Sequence, residues 1–84
     1  LSYCKINDDT IQVLKIVILT NIKELDLSNN KIGDNGVKYL IDCKQFDKLN
    51  ELDLSHNDLG ENGVKYLIDC KQFDKLKKLY LSIN

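Results

Sequence analysis

Arginine is absent from the 84 residues, histidine occurs once, and the most apolar uninterrupted run, Ile16 to Leu19, has four residues. Each shortage closes off a class of function. Twelve basic residues, all lysine, stand against 13 acidic ones for a net charge of −1, so there is no global basic field for nucleic acid or anionic lipid. Without arginine the chain also lacks the forked contacts that read bases and clamp phosphates. A run of four apolar residues falls far short of the roughly 18 needed to span a bilayer. No methionine and no signal peptide stand at the N-terminus, and Leu1 and Asn84 both fall inside repeats, so the chain reads as a fragment of a longer protein. Three cysteines are an odd count, and reduced thiols are expected rather than a disulfide framework.

Self-similarity is what the sequence has in plenty. The stretch GVKYLIDCKQFDKL runs from Gly36 to Leu49 and again from Gly63 to Leu76, an offset of 27 residues. Residues 22–48 and 49–75 agree at 21 of 27 positions. Earlier in the chain Leu1, Cys4, Ile6, Asp8, Ile11 and Leu14 match Leu27, Asn30, Ile32, Asp34, Val37 and Leu40, with one residue fewer before Leu25. A fixed period of this length signals stacked units that bury one another's faces. Residues 1–84 are therefore expected to form one domain, with repeats at about 1–26, 27–53 and 54–80 and the start of a fourth at 81–84.

Two periods alternate within a unit. Leu25 and Leu27, then Leu52 and Leu54, alternate with polar residues as in a strand with one buried face. The following GDNGVKYLIDC puts Val37, Leu40 and Ile41 on one side of a helix. Asp34 or Asn35, and Glu61 or Asn62, are the expected N-caps, and Phe46 and Leu49 are expected to close the unit's core. Asn30, Asn57 and Asn84 recur just after the strands, where a buried amide can satisfy loop backbone and form a ladder. Cys4 takes that place in the first unit.

The pattern LxxLxLxxNxIGDxGxxxL at Ile22 to Leu40, repeated with variants at Leu49 to Leu67, resembles the leucine-rich repeat, and its GDxG helix resembles the ribonuclease-inhibitor-like subclass. The resemblance covers essentially the whole chain. It implies an α/β solenoid, a curved horseshoe segment with parallel strands on the concave side and helices on the convex side. The chain departs from the subclass in a slightly short period, in Lys44 and Lys71 at a second helical leucine position, and in showing no capping unit at either end.

That resemblance implies which residues face outward between the strand leucines. They form the rows Glu24–Glu51–Lys78, Asp26–Asp53–Tyr80, Ser2–Ser28–Ser55–Ser82 and Tyr3–Asn29–His56–Ile83. The expected partner-binding residues are Glu24, Asp26, Glu51, Asp53, His56, Lys78 and Tyr80, an acidic patch with an aromatic neighbour suited to a basic protein. The same four carboxylates are also what a solvated surface copied by duplication would present. His56, the single histidine, offers a charge change between pH 5 and 8 or reflects drift. The carboxylates have the oxygen chemistry of calcium or magnesium ligands but sit on a flat sheet without a wrapping loop, so no metal and no cofactor are expected. Asp53, Ser55 and His56 share one strand, and alternation turns His56 away from the other two, so no catalytic triad and no enzyme activity are expected.

On the helical side the Lys38 and Asp42 pair is explained by local charge pairing, and Ile16, Val17, Ile18 and Leu19 suggest cover by a preceding segment or a partner. The reading is a non-catalytic protein–protein interaction scaffold in the cytoplasm, or exported into a host cell. The alternative is a structural spacer or a segment that self-assembles into homo-oligomers through uncapped edges. It would then belong to a larger protein such as a bacterial effector, or to a regulatory module of an enzyme.

Overall fold

Each unit contributes one short strand and one short helix, because its apolar residues change from a period of two to a period near 3.6 across a glycine-bearing turn. The computed structural model describes residues 5–14, 23–41, 48–70 and 75–84. Their element order is α1 (Asp8–Leu14), β1 (Glu24–Asp26), α2 (Asp34–Ile41), β2 (Glu51–Asp53), α3 (Glu61–Asp69) and β3 (Lys78–Tyr80). The strands form a three-stranded parallel sheet in the order β1-β2-β3, and α2 packs between α1 and α3. The result is an α/β repeat fold.

Register follows the repeat. Leu25 pairs with Leu52 and Leu52 with Leu79, so leucine stands beside leucine along the buried side of the sheet. Leu25, Leu27, Leu52 and Leu54 share one core with Ile11, Val37, Leu40 and Leu67 from the helices and with Leu49. The hydrogen-bonded ladder outlasts the strands. Leu27 N–H donates to Asp53 O at 2.8 Å and Asn29 N–H to Ser55 O at 2.9 Å, and Leu54 and His56 repeat these bonds to Tyr80 and Ser82.

The asparagine ladder forms as the spacing predicts. Asn57 accepts from Ile32 N–H at 3.0 Å through Oδ1, and its Nδ2 donates to the carbonyls of Leu27, Leu54 and Ser55. Asn30 does the same for Ile6 N–H, and Asn84 for Leu59 N–H. Asn30 and Asn57 are buried, and no buried side-chain N or O atom among the described residues lacks a partner. Each amide thus ties a unit to the one before it.

Two expectations are corrected here. The first concerns the helix starts. Asp34, expected to cap its own helix, instead reaches forward one unit: its Oδ1 accepts from Gly60 N–H and Gly63 N–H, each at 2.8 Å. Gly60 holds the N-cap position of α3 with extended backbone and no side-chain cap, so neither Glu61 nor Asn62 is the cap. Asp8 plays the same part for α2, accepting from Gly33 N–H at 2.6 Å. A carboxylate at a helix N-terminus satisfies orphan donors and meets the positive end of the helix dipole.

The second correction is that Ser28 and Ser55, placed among the outward rows, are buried. The regular strand ends at Asp26 and Asp53, and the chain then turns. Asn29, His56 and Ile83 occupy the left-handed region at φ of 57°, 56° and 56°, so two-residue alternation stops there. Phe46, Cys4, Cys43, Asp42, Ser2, Tyr3 and the Ile16 to Leu19 run lie outside the described residues.

Candidate functional site

The sheet face opposite the helices carries the polar residues of the strands. Because the strands are parallel and in register, each polar position becomes a row: Glu24 beside Glu51 beside Lys78, and Asp26 beside Asp53 beside Tyr80. Strands in a sheet lie about 4.8 Å apart, so the four carboxylates form a two-by-two array with rows of like charge. They line one shallow depression together with Leu25. Lys78 and Tyr80 continue the rows on β3 outside that depression. Lys78 and Tyr80 are exposed, with Tyr80 at 43 %.

Like charges side by side repel, so something must hold the array. At Asp26 the holder is Ser28, whose backbone N–H donates to Oδ1 at 3.0 Å and whose hydroxyl donates to the same oxygen at 2.6 Å. Asp53 receives the Ser55 N–H at 2.9 Å. The Ser28 hydroxyl, then its N–H, hold the Asp26 carboxyl below its ordinary value of 3.8, against a smaller opposing effect of burial. One oxygen of each aspartate is thereby tied down by the turn that follows its strand.

A titration follows from this. Replacing Ser28 by alanine should raise the Asp26 pKa toward the ordinary value, read by NMR of the Asp26 carboxyl as pH is lowered. The depressed pKa contributes stability above the unfolded value of 3.8, lost as pH falls through the lower folded value. The Ser28→Ala protein should therefore show a smaller loss of stability in that acid window. An unchanged Asp26 titration would mean that Ser28 does not set it.

His56 is exposed and sits at the left-handed turn rather than in the array. Its equivalent in the unit before is Asn29, and both residue types tolerate that conformation better than most. Ser55 is buried and its N–H donates to Asp53, while His56 is exposed. No cluster of three or more His, Cys, Asp or Glu side chains among the described residues is grouped to hold a metal ion, and no described helix is long and apolar enough to cross a membrane.

The residues that sequence reasoning missed are the bridging carboxylates Asp8 and Asp34. A signal for them is present. Gly33 and Gly36 recur as Gly60 and Gly63, but the first unit has Asn7 and Thr10 in their places. There Asn7 caps α1 itself, accepting from the Thr10 N–H and hydroxyl, each at 3.1 Å. The two glycines are replaced together in the unit whose helix supplies its own cap.

Comparison with known proteins agrees with the repeat geometry. No curated protein matches the chain. The family model described as a leucine-rich repeat matches residues 19–40 and 48–67, half of the chain and the two units whose strands and helices align most closely. With leucines paired along a parallel sheet, an asparagine ladder behind them and that match, the chain belongs to the leucine-rich repeat family.

Proposed function

We propose that this chain is a segment of a curved solenoid of the ribonuclease-inhibitor-like subclass and acts as a non-catalytic scaffold. On this reading it binds a basic partner protein through the concave face that carries Glu24, Asp26, Glu51 and Asp53. Leucine-rich repeat domains generally mediate protein–protein interaction. The observation that carries the reading is the in-register pairing of Glu24 with Glu51 and Asp26 with Asp53, which gathers four carboxylates around one depression. Such an array steers lysine- or arginine-bearing segments, more strongly at low salt. Tyr80 at the end of the aspartate row adds a ring on which a cationic side chain can rest.

On this reading the chain works in the cytoplasm, or in a host cell after export, where its cysteines stay reduced. A second reading, a spacer within a longer array, is favoured by the partial exposure of Leu79 and Leu81 at the β3 edge.

The test is a pull-down with the chain beside its variant carrying Glu24→Lys, Asp26→Lys, Glu51→Lys and Asp53→Lys, followed by affinity measurement on the partner retained. Affinity for a basic partner should fall by more than about tenfold, one factor of ten corresponding to about 1.4 kcal/mol. The helical circular dichroism signal should stay unchanged. Equal affinity in the two proteins sinks the reading of the acidic face.

A further inference from the structure

Two Asn-Gly dipeptides stand at equivalent places in successive units, Asn35-Gly36 in α2 and Asn62-Gly63 in α3. Both asparagines are exposed in the first turn of their helices, and both glycines are buried. An asparagine before glycine is prone to lose its amide, because no Cβ blocks the next backbone nitrogen from reaching the side-chain carbon. The local sequences, DNGVKYLID and ENGVKYLID, are nearly the same, so in an unfolded chain the two sites have near-equal reactivity.

What differs in the fold is the bond on the attacking nitrogen. Gly63 N–H donates to Asp34 Oδ1 at 2.8 Å, and the same oxygen holds Gly60 N–H at 2.8 Å, so the first turn of α3 is pinned twice. The Asp8 carboxylate lies beside Gly36 in the same way, but its bond is to Gly33 N–H at 2.6 Å. Among the described residues Gly36 N–H has no acceptor. Asn35 also lines an open polar depression with Asp9 and Tyr39, where water reaches it.

We propose that Asn35 is a deamidation site of the folded chain, and that Asp34 withholds the same reaction from Asn62. In the reaction the Gly36 nitrogen attacks Asn35 Cγ, and the new N–Cγ bond closes a five-membered imide. The Cγ–Nδ2 bond breaks, and ammonia leaves with the proton that Gly36 N–H gave up. Water then opens the imide at either carbonyl to give aspartate or isoaspartate, with no change of oxidation state. A helical backbone keeps the nitrogen and Cγ apart, so the first turn must open before attack. At α3 that opening also has to break the Gly63 bond to Asp34, whose negative charge disfavours loss of the amide proton. Asp34 directly precedes Asn35, and isoaspartate lengthens the main chain there by one carbon. Reaction at Asn35 therefore displaces the cap of α3 and opens Asn62 to the same chemistry afterwards.

The test holds the full chain folded at mildly alkaline pH and follows both sites by mass spectrometry after cleavage at lysine. Residues 32–38 and 49–65 carry the two sites on separate peptides, and fragmentation assigns the change within the second. Asn35 should react about tenfold faster than Asn62, the factor that one charge-assisted bond is worth, and the rates should converge in urea. Asp34→Ala should raise the Asn62 rate by about tenfold and the Asn35 rate much less, with a native circular dichroism spectrum. Equal rates in the folded wild-type chain overturn the proposal, whether or not the variant folds. So does a difference that persists in urea, which would place its cause in the local sequence. An Asn62 rate that Asp34→Ala leaves unchanged, or raises only as much as that of Asn35, overturns it too.

Discussion

Replacing Asn57 by leucine is expected to remove a large fraction of the protein's stability, about 3–5 kcal/mol. The side chain is buried and makes four hydrogen bonds to backbone groups of two units. The three carbonyls it serves have other donors: Asn30 for Leu27 O, Asn84 for Leu54 O and the Asn29 N–H for Ser55 O. The Ile32 N–H is different, because Asn57 Oδ1 is its partner and leucine offers no acceptor. An orphaned buried donor costs about 1–3 kcal/mol, and the three donated bonds add about 0.5–1.5 kcal/mol each. The sum, about 3–5 kcal/mol after partial relaxation, is a large share of the stability of a domain of this size, about 4–13 kcal/mol at typical values per residue. Urea denaturation monitored by circular dichroism measures it. Asn84→Leu, at the part-exposed edge where water can reach the orphaned Leu59 N–H, should cost less than half as much. Equal costs at the two positions would show that burial of the ladder is not what makes Asn57 important.

The second large effect has a sign that helix propensity alone would get wrong. Gly63 lies inside α3, where alanine is ordinarily better by about 1 kcal/mol. Here the new Cβ would meet Asp34 Oδ1 at 2.5 Å and Asp34 Cα at 3.4 Å, so the carboxylate must leave. Its departure removes charge-assisted bonds to Gly60 and Gly63 N–H, each worth about 1.5–3 kcal/mol. Gly63→Ala should therefore destabilise by about 2–4 kcal/mol net, with water recovering part of the loss. In an Asp34→Ala background the same change should cost far less and approach neutral, because the carboxylate is gone and only Leu59 Cγ at 3.3 Å and the Cα of residue 34 at 3.4 Å stay close. That recovery, measured as a double-mutant cycle, separates the bridging cap from general crowding. Gly36→Ala should respond less to Asp8→Ala, since its Cβ also meets Ile32 Cγ2 at 2.8 Å.

How far the residues alone led depends on how local each feature is. The pairing of Leu25 with Leu52 and Glu24 with Glu51 was legible because near-identical units stacked in parallel must pair like with like. The asparagine ladder was legible for the same reason, a polar residue recurring after each buried strand. Ser28 and Ser55 were misplaced because alternation was carried past Asp26 and Asp53 into a turn with left-handed backbone at Asn29 and His56. Asp34 resembled a local cap because it directly follows Gly33 in sequence, whereas its partners lie 26 and 29 residues further on. Only the joint replacement of two glycines by Asn7 and Thr10 hints at a bond spanning that distance.

The reach of Asp8 and Asp34 into the following unit has a consequence for how the chain finds its fold. The second and third units open on the same two glycines, so the Asp8 carboxylate meets equivalent donors whether it lands on Gly33 or on Gly60. A chain that stacks its first unit directly on its third, with the second looped out, satisfies that bond as well as the native one does. The detour closes a loop of one repeat, and loop entropy rises only slowly with length. What separates the two arrangements is the junction forfeited, one ladder asparagine and one row of leucines. The skipped-unit arrangement is therefore a competitor that the native stack beats by that one junction, and a chain caught in it has to open the misplaced junction before the correct pair can form.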